Sequence, residues 1–444
     1  MRACSPRLAV IAVALAVALA GCGKSLPSAS TGQGAGQPLA PVTPEGAGGF
    51  STKNTTRLGG ADAATDAAAV ALAVHPGLIA ASRPQATVIV DERDWAAALA
   101  ASALASAPLK APLLYGEGAT LPEVSAQALK TMRPTGAATL GGAQAIQIGA
   151  SPDALPPVAG YRTRALTNAD PYALAVQVQR LLSVIQHHEP RWVIVVSADG
   201  PPALAMPAAG LAAESGAPIL LVSAAGVPAP TAAALAHLHR PAIYVVGSTA
   251  AVSSATVIAL GRFGTVKRIV SPVGRIGRED PVGNAIAVAL FEDGGFGWGV
   301  ADPGHGLVFA NSTRPLDAPA AAPLSSSGDY APLLVLENPV GVPKVVAEYL
   351  TDIRPAYSSA PAYGPTHGAY NHGWLIGDER AIAPSTQAEL DAMLEIAPQT
   401  TTTAAETTSS QSSSSASVTA TASTSATSTA SSTSASSATT GAKK

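Results

Sequence analysis

One order of motifs occurs three times along this 444-residue chain. An apolar run leads to an Ala-rich helix. An Ala-Pro-(Leu/Ile)-Leu strand follows, then a second helix and a strand ending in a Gly turn. The Ala-Pro strands begin at Ala111, Ala217 and Ala331, and the Gly turns contain Gly141-Gly142, Gly247 and Gly377. A spacing of 106 residues separates Pro112 from Pro218 and also Gly141 from Gly247. A period shared by two motifs marks a repeat architecture. It repeats a scaffold without repeating a reactive group, which points to a binding array rather than one active site.

Within the first unit, Thr87–Val90 reads as a buried strand by length and β-branching. Asp94 is a reasonable N-cap for the helix from Trp95 to Ala105, and Pro112–Tyr115 is the next strand. A helix through Met132 leads to a last strand over Ala137–Leu140. Strands alternating with helices at this spacing indicate parallel βαβ units. The expected fold class is therefore α/β, with tandem units at residues 51–150, 151–263 and 264–397. The third carries insertions at Asp293–Gly304 and Ser358–Gly373. Aromatic content of 4% and heavy use of Ala imply thin, closely packed layers. Burial between units should then supplement burial within them.

The ends of the chain differ from this core. Arg2 and Arg7 precede an apolar run from Leu8 to Ala20, which is short for a membrane span. It ends in Leu19-Ala20-Gly21-Cys22, which resembles a bacterial lipobox. Residues 1–21 are thus expected to be removed and Cys22 lipidated, fixing the protein to the outer face of the cell membrane. The only other cysteine, Cys4, lies in the removed part, so redox and Cys-metal chemistry are excluded. Residues 22–50 read as a flexible tether. Residues 398–444 are dominated by Thr, Ser and Ala and read as a disordered tail. A formal charge of −3 gives no footprint for nucleic acid.

The repeats resemble the cell wall binding repeat 2 family. The opening of that family's repeat is matched by Arg57-Leu58-Gly59-Gly60-Ala61-Asp62, by Arg275-Ile276-Gly277-Arg278-Glu279-Asp280 and, in eroded form, by Arg164 to Asp170. Its Asp-Ala helix start is clearest at Asp317-Ala318. The resemblance covers about residues 51–396. It implies three Rossmann-like modules packed with pseudo-threefold symmetry and non-covalent retention on an anionic or secondary cell-wall polymer.

Two candidate sites follow. Gly141, Gly142, Gly247 and Gly377, read as strand-to-helix turns, would join Arg57, Arg275 and Arg278 as a polymer or anion site. The alternative is that these glycines simply permit tight turns. The segment holding His367, Tyr370, Asn371, His372 and Trp374 is either a ligand-contacting loop or a packed structural one. No metal or cofactor is expected, and no nucleophile elbow, Walker loop or zinc-protease motif is present. The expected function is a non-enzymatic, lipid-anchored binder of cell-wall polymer. A lipid-anchored small-ligand receptor is the alternative.

Overall fold

The computed structural model describes residues 50–270, 280–326, 331–357 and 370–398, together with the backbone of residues 366–367. Its strands are β1 (Thr55–Leu58), β2 (Thr87–Asp91), β3 (Leu113–Gly116), β4 (Ala145–Gly149), β5 (Thr163–Thr167), β6 (Trp192–Ser197), β7 (Ile219–Val222), β8 (Ala242–Val245) and β9 (Thr265–Arg268). The third repeat adds β10 (Glu292–Asp293), β11 (Phe296–Gly297), β12 (Gly306–Asn311), β13 (Leu333–Leu336), β14 (Ala356–Tyr357), β15 (Thr366–His367) and β16 (His372–Ile376). Helices α1 (Ala63–Val74), α2 (Trp95–Ala101) and α3 (Glu123–Met132) belong to the first repeat. The second holds α4 (Pro171–Gln186), α5 (Pro207–Ser215), α6 (Ala229–His237) and α7 (Ser254–Leu260). The third holds α8 (Pro281–Leu290), α9 (Asp317–Ser325), α10 (Lys344–Asp352) and α11 (Pro384–Leu394).

Three parallel four-stranded sheets form, with orders β3-β2-β4-β5, β7-β6-β8-β9 and β13-β12-β16-β1. In each, the fourth strand comes from the opening of another repeat. β5 opens the second repeat but pairs with β4, and β9 opens the third but pairs with β8. β1, from the start of the chain, pairs with β16 near its end, placing Arg57 opposite Leu375. The repeats expected at residues 51–150, 151–263 and 264–397 are therefore interlocked, because every sheet crosses a repeat boundary.

After each exchanged strand comes a helix capped by Asp. Asp62, Asp170 and Asp280 accept hydrogen bonds from the backbone N–H of Thr65, Tyr172 and Gly283. Such a cap contributes about 1 kcal/mol. These helices pack beside the next sheet while touching the previous module: α1 meets α9, α4 meets α2, and α8 meets α5. At the centre, α5, α9 and α2 with its 3-10 extension Ser102–Ala105 pack on one another. All nine residues of α9 are buried, as are Pro207–Ala213 of α5. A helix apolar all round is a core helix, and Ala lets the axes approach. At Gly210 even a methyl would lie 2.6 Å from Ser325 Oγ.

One expected strand is displaced. Ala138–Leu140 is a 3-10 turn, and the strand is β4 at Ala145–Gly149. Gly141 and Gly142 therefore precede the strand, at positive φ, and Gly149, the last residue of β4, is the one in register with Gly247 and Gly377. The second 106-residue spacing was a coincidence of two different turns.

Candidate functional site

The C-terminal ends of parallel strands are where α/β folds bind ligands, and Gly247 and Gly377 lie there at φ 113° and 98°. Neither turn is open. Arg57, on the exchanged strand β1, is 4% exposed and projects under the third turn. Its Nη1 donates to the carbonyls of Gly377 (3.0 Å) and Asp378 (2.8 Å), and Nη2 to that of Ile382 (2.7 Å). Nε and Nη2 both donate to Gln387 Oε1. All five guanidinium N–H groups are thereby used. Burial lowers the Arg57 pKa, with Glu379 and Asp378 working against that shift. The expectation that Arg57 contacts polymer is corrected: it is a bolt between the first strand and the last turn.

The second module repeats the device with a different residue. Arg268 on β9 stands opposite Val245 as Arg57 stands opposite Leu375, and it donates to the carbonyls of Gly247 and Val252. Motif spacing had selected Arg275. Arg275 and Arg278 lie outside the described residues, as does Cys22. In the first module the matching position is Ala165, opposite Gln147, whose amide donates to Pro156 O instead. Gly141 and Gly142 sit at the other end of their sheet, where Arg162 Nη1 donates to Gly141 O (2.8 Å).

At the start of β16, Asn371 and His372 are packed. Asn371 is fully buried: its Oδ1 accepts from Gly304 N–H (2.8 Å) and His305 N–H (3.2 Å), and its Nδ2 donates to Ile353 O (2.8 Å). His372 Nε2 pairs with Thr56 Oγ1 at 3.1 Å, and its ring meets Trp374 edge-on with centroids 4.8 Å apart. Asn371 and His372 thus secure the strand that receives β1, so ligand contact through Asn371 is corrected to a structural role. Tyr370 is exposed, and the His367 side chain lies outside the described residues.

Sequence reasoning missed one charged cluster. Asp66 of α1 and Asp317 of α9 converge on Arg314. Arg314 Nη2 pairs with Asp66 Oδ2, Nε donates to Asp317 Oδ2 (2.9 Å), and Nη1 donates to Ala61 O (3.0 Å). Asp66 Oδ1 accepts from Gly60 N–H at 2.7 Å. Burial pushes the Asp317 carboxyl well up, Asp66 adding to it, and burial raises Asp66 against the pull of Arg314. Burial works against the Arg314 charge, but Asp317 and Asp66 outweigh it and raise its pKa. One proton shared by the two carboxyls would leave a single negative charge against a single positive one. The pair is 0–1% exposed, so no substrate reaches it, and its role is to join the third module to the first. A lone Asp within the Ala run of α1 was the available signal.

Among the described residues, no group of three or more His, Cys, Asp and Glu side chains is placed to hold a metal ion. No helix among them is long and apolar enough to cross a membrane. Residues 166–257 match the family model described as cell wall binding domain 2 (CWB2). The match opens within β5 and closes within α7, so it takes in most of the second module. No curated protein matches the chain significantly. Among solved structures it is similar to Cwp8 from Clostridium difficile, with TM-score 0.56 and 17% identity over 77% of this chain and 52% of that one. It is also similar to Cwp6 from Clostridium difficile, with TM-score 0.59 and 18% identity over 79% and 51%. The chain spans about half the length of these structures, and at this identity the likeness is one of fold.

Proposed function

We propose, on the premise that this chain is a cell wall binding domain 2 protein, that it is a surface protein held on the cell wall by non-covalent contact with wall polymer. The observation that carries the reading is the family match over the second module, whose architecture recurs in the other two. The finer parts of the reading rest on sequence. Cys22 within a lipobox-like segment would anchor the protein to the outer membrane face, and residues 22–50 would bridge to the folded modules. The modules would act as a binder without catalysis, since the buried carboxyl pair and the arginine bolts serve the fold.

Sedimentation with purified sacculi tests this directly. The mature protein should pellet with intact sacculi and stay in the supernatant once accessory polymers are stripped. Retention in the supernatant in both cases would overturn the reading. Ligand-dependent thermal stabilisation by a small solute would then favour the receptor alternative. Cys22→Ala should release the protein from membranes while leaving sedimentation unchanged.

A further inference from the structure

The two ends of the first two sheets carry opposite charge. Among the described residues, the segments leading into β2–β9 hold seven Arg and Lys against two acids, Glu189 and Asp153. Among the described residues, the segments leaving those strands, together with Asp91 and Arg268 at the ends of β2 and β9, hold seven Asp and Glu against two Arg. This separation arises in a chain whose formal charge is only −3. It is a fixed dipole, with the strand N-terminal edge positive.

A second observation makes that edge unusual. Among the described residues, five non-glycine residues adopt positive φ, and all are Lys, Arg or His: Lys110, Arg133, His187, His239 and Arg240. Arg133 and His187 are the C-caps of α3 and α4. Helix ends of this kind usually take Gly. A side chain in the left-handed region costs roughly 1–2 kcal/mol. A cation near a helix C-terminus recovers about 0.3–1 kcal/mol from the dipole, which does not cover that cost. All five side chains are exposed, three of them carrying the fixed positive charge of Lys110, Arg133 and Arg240.

The edge is continuous and grooved. His75 Nε2 lies 3.1 Å from Lys110 O in the first module. A cavity of about 400 Å³ then spans the joint, lined by Pro108 from the first module and by His188, Arg191, Trp192 and the single acid Glu214 from the second. The Arg191 guanidinium stands 5.4 Å from the Trp192 ring centroid. His188 also lines a second cavity of about 590 Å³, with Arg180, His187, His237 and, 3.9 Å from His237 Nε2, the carboxylate of Glu189.

We infer that this edge, across the first and second modules, docks a phosphate-bearing wall glycopolymer along the two grooves. The inference rests on the wall-binding reading and assigns its face and ligand chemistry. Arginine predominates among the cations, and its planar fork suits phosphate oxygens. Adjoining grooves fit an extended chain better than a flat surface. The exposed Leu78 and Ile79 near His75 make an anionic bilayer the rival occupant.

Binding of the mature protein to poly(glycerol phosphate) should be measured against salt, for wild type and for the triple variant Lys110→Glu, Arg191→Glu, Arg240→Glu. Affinity should fall at least about tenfold in the triple variant, with a flatter salt dependence. The double variant Arg93→Glu, Arg380→Glu reverses charge at the opposite strand edge and should stay within about twofold of wild type. Thermal melts should show all three proteins folded. Equal loss in both variants, or none in the triple, overturns the assignment. So does equal binding to polygalacturonate, or preference for phosphatidylglycerol–phosphatidylcholine vesicles. Sacculus binding that survives in the triple variant sinks this face but spares the wall-binding reading. Failure of wild type to bind sacculi sinks both.

Discussion

Equivalent positions join the modules by different chemistry. Where the third module meets the first, Asp66 of α1 engages Arg314 and Asp317 beside α9. Where the second meets the third, Asn284 of α8 donates to Leu204 O at 2.8 Å ahead of α5. The hairpin β10–β11 then lays Phe296 on Tyr244 of β8, rings stacked at 3.8 Å, while the Tyr244 hydroxyl donates to Asp293. One joint is ionic with both carboxyls buried; the other combines a neutral amide contact and aromatic packing with a half-exposed ion pair, Lys267–Asp293 at 2.6 Å. The covalently continuous joint places no buried charge at its contact. The joint that closes the cycle connects residues about 250 positions apart and carries charge, which is sensitive to register.

The sharpest way to break this contrast is Arg314→Ala. It strands two buried carboxyls and should destabilise the protein by about 3–5 kcal/mol, read by denaturant unfolding. Arg57→Ala, at the same closure, leaves the carbonyls of Gly377, Asp378 and Ile382 without donors. It should cost about 3 kcal/mol, against about 1–2 for Arg268→Ala in the second module. Asn284→Ala should cost only about 1 kcal/mol. If Asn284→Ala proved as damaging as Arg314→Ala, the distinction between the joints would fail.

The pH response sharpens the comparison further. Folded Asp317 and Asp66 hold protons above the ordinary aspartate value of 3.8, so the folded state binds more protons than the unfolded one. Their effect favours folding most at low pH and is lost as pH rises from about that value through the raised ones. Asp317→Asn should flatten this slope in pH-dependent melts, leave Asn284→Ala variants unaffected, and change stability near neutrality by less than about 2 kcal/mol.

The strands read at Thr87–Val90 and Pro112–Tyr115 fall within about two residues of β2 and β3. Their β-branched, continuous apolar runs state their burial directly. The fourth strand of each sheet was not found. β1, β5 and β9 mix polar and apolar residues, as in Thr55-Thr56-Arg57-Leu58, and what fixes them is a partner from another repeat. The same blind spot hid Arg268, which is placed by the sheet register and by no local pattern. Gly141-Gly142 misled because a Gly pair permits a turn at either end of a strand. Charge polarity was illegible for another reason: it appears only once the loops are sorted by strand end.

Placement of β1 against β16 has a consequence for how the protein comes into being. The first folded segment to leave the ribosome has no mate until the chain has been made through Ile376. Until then the third sheet lacks its edge strand, and a chain ending before β16 offers β1 nothing to join, so closure of the cycle depends on the last repeat being complete.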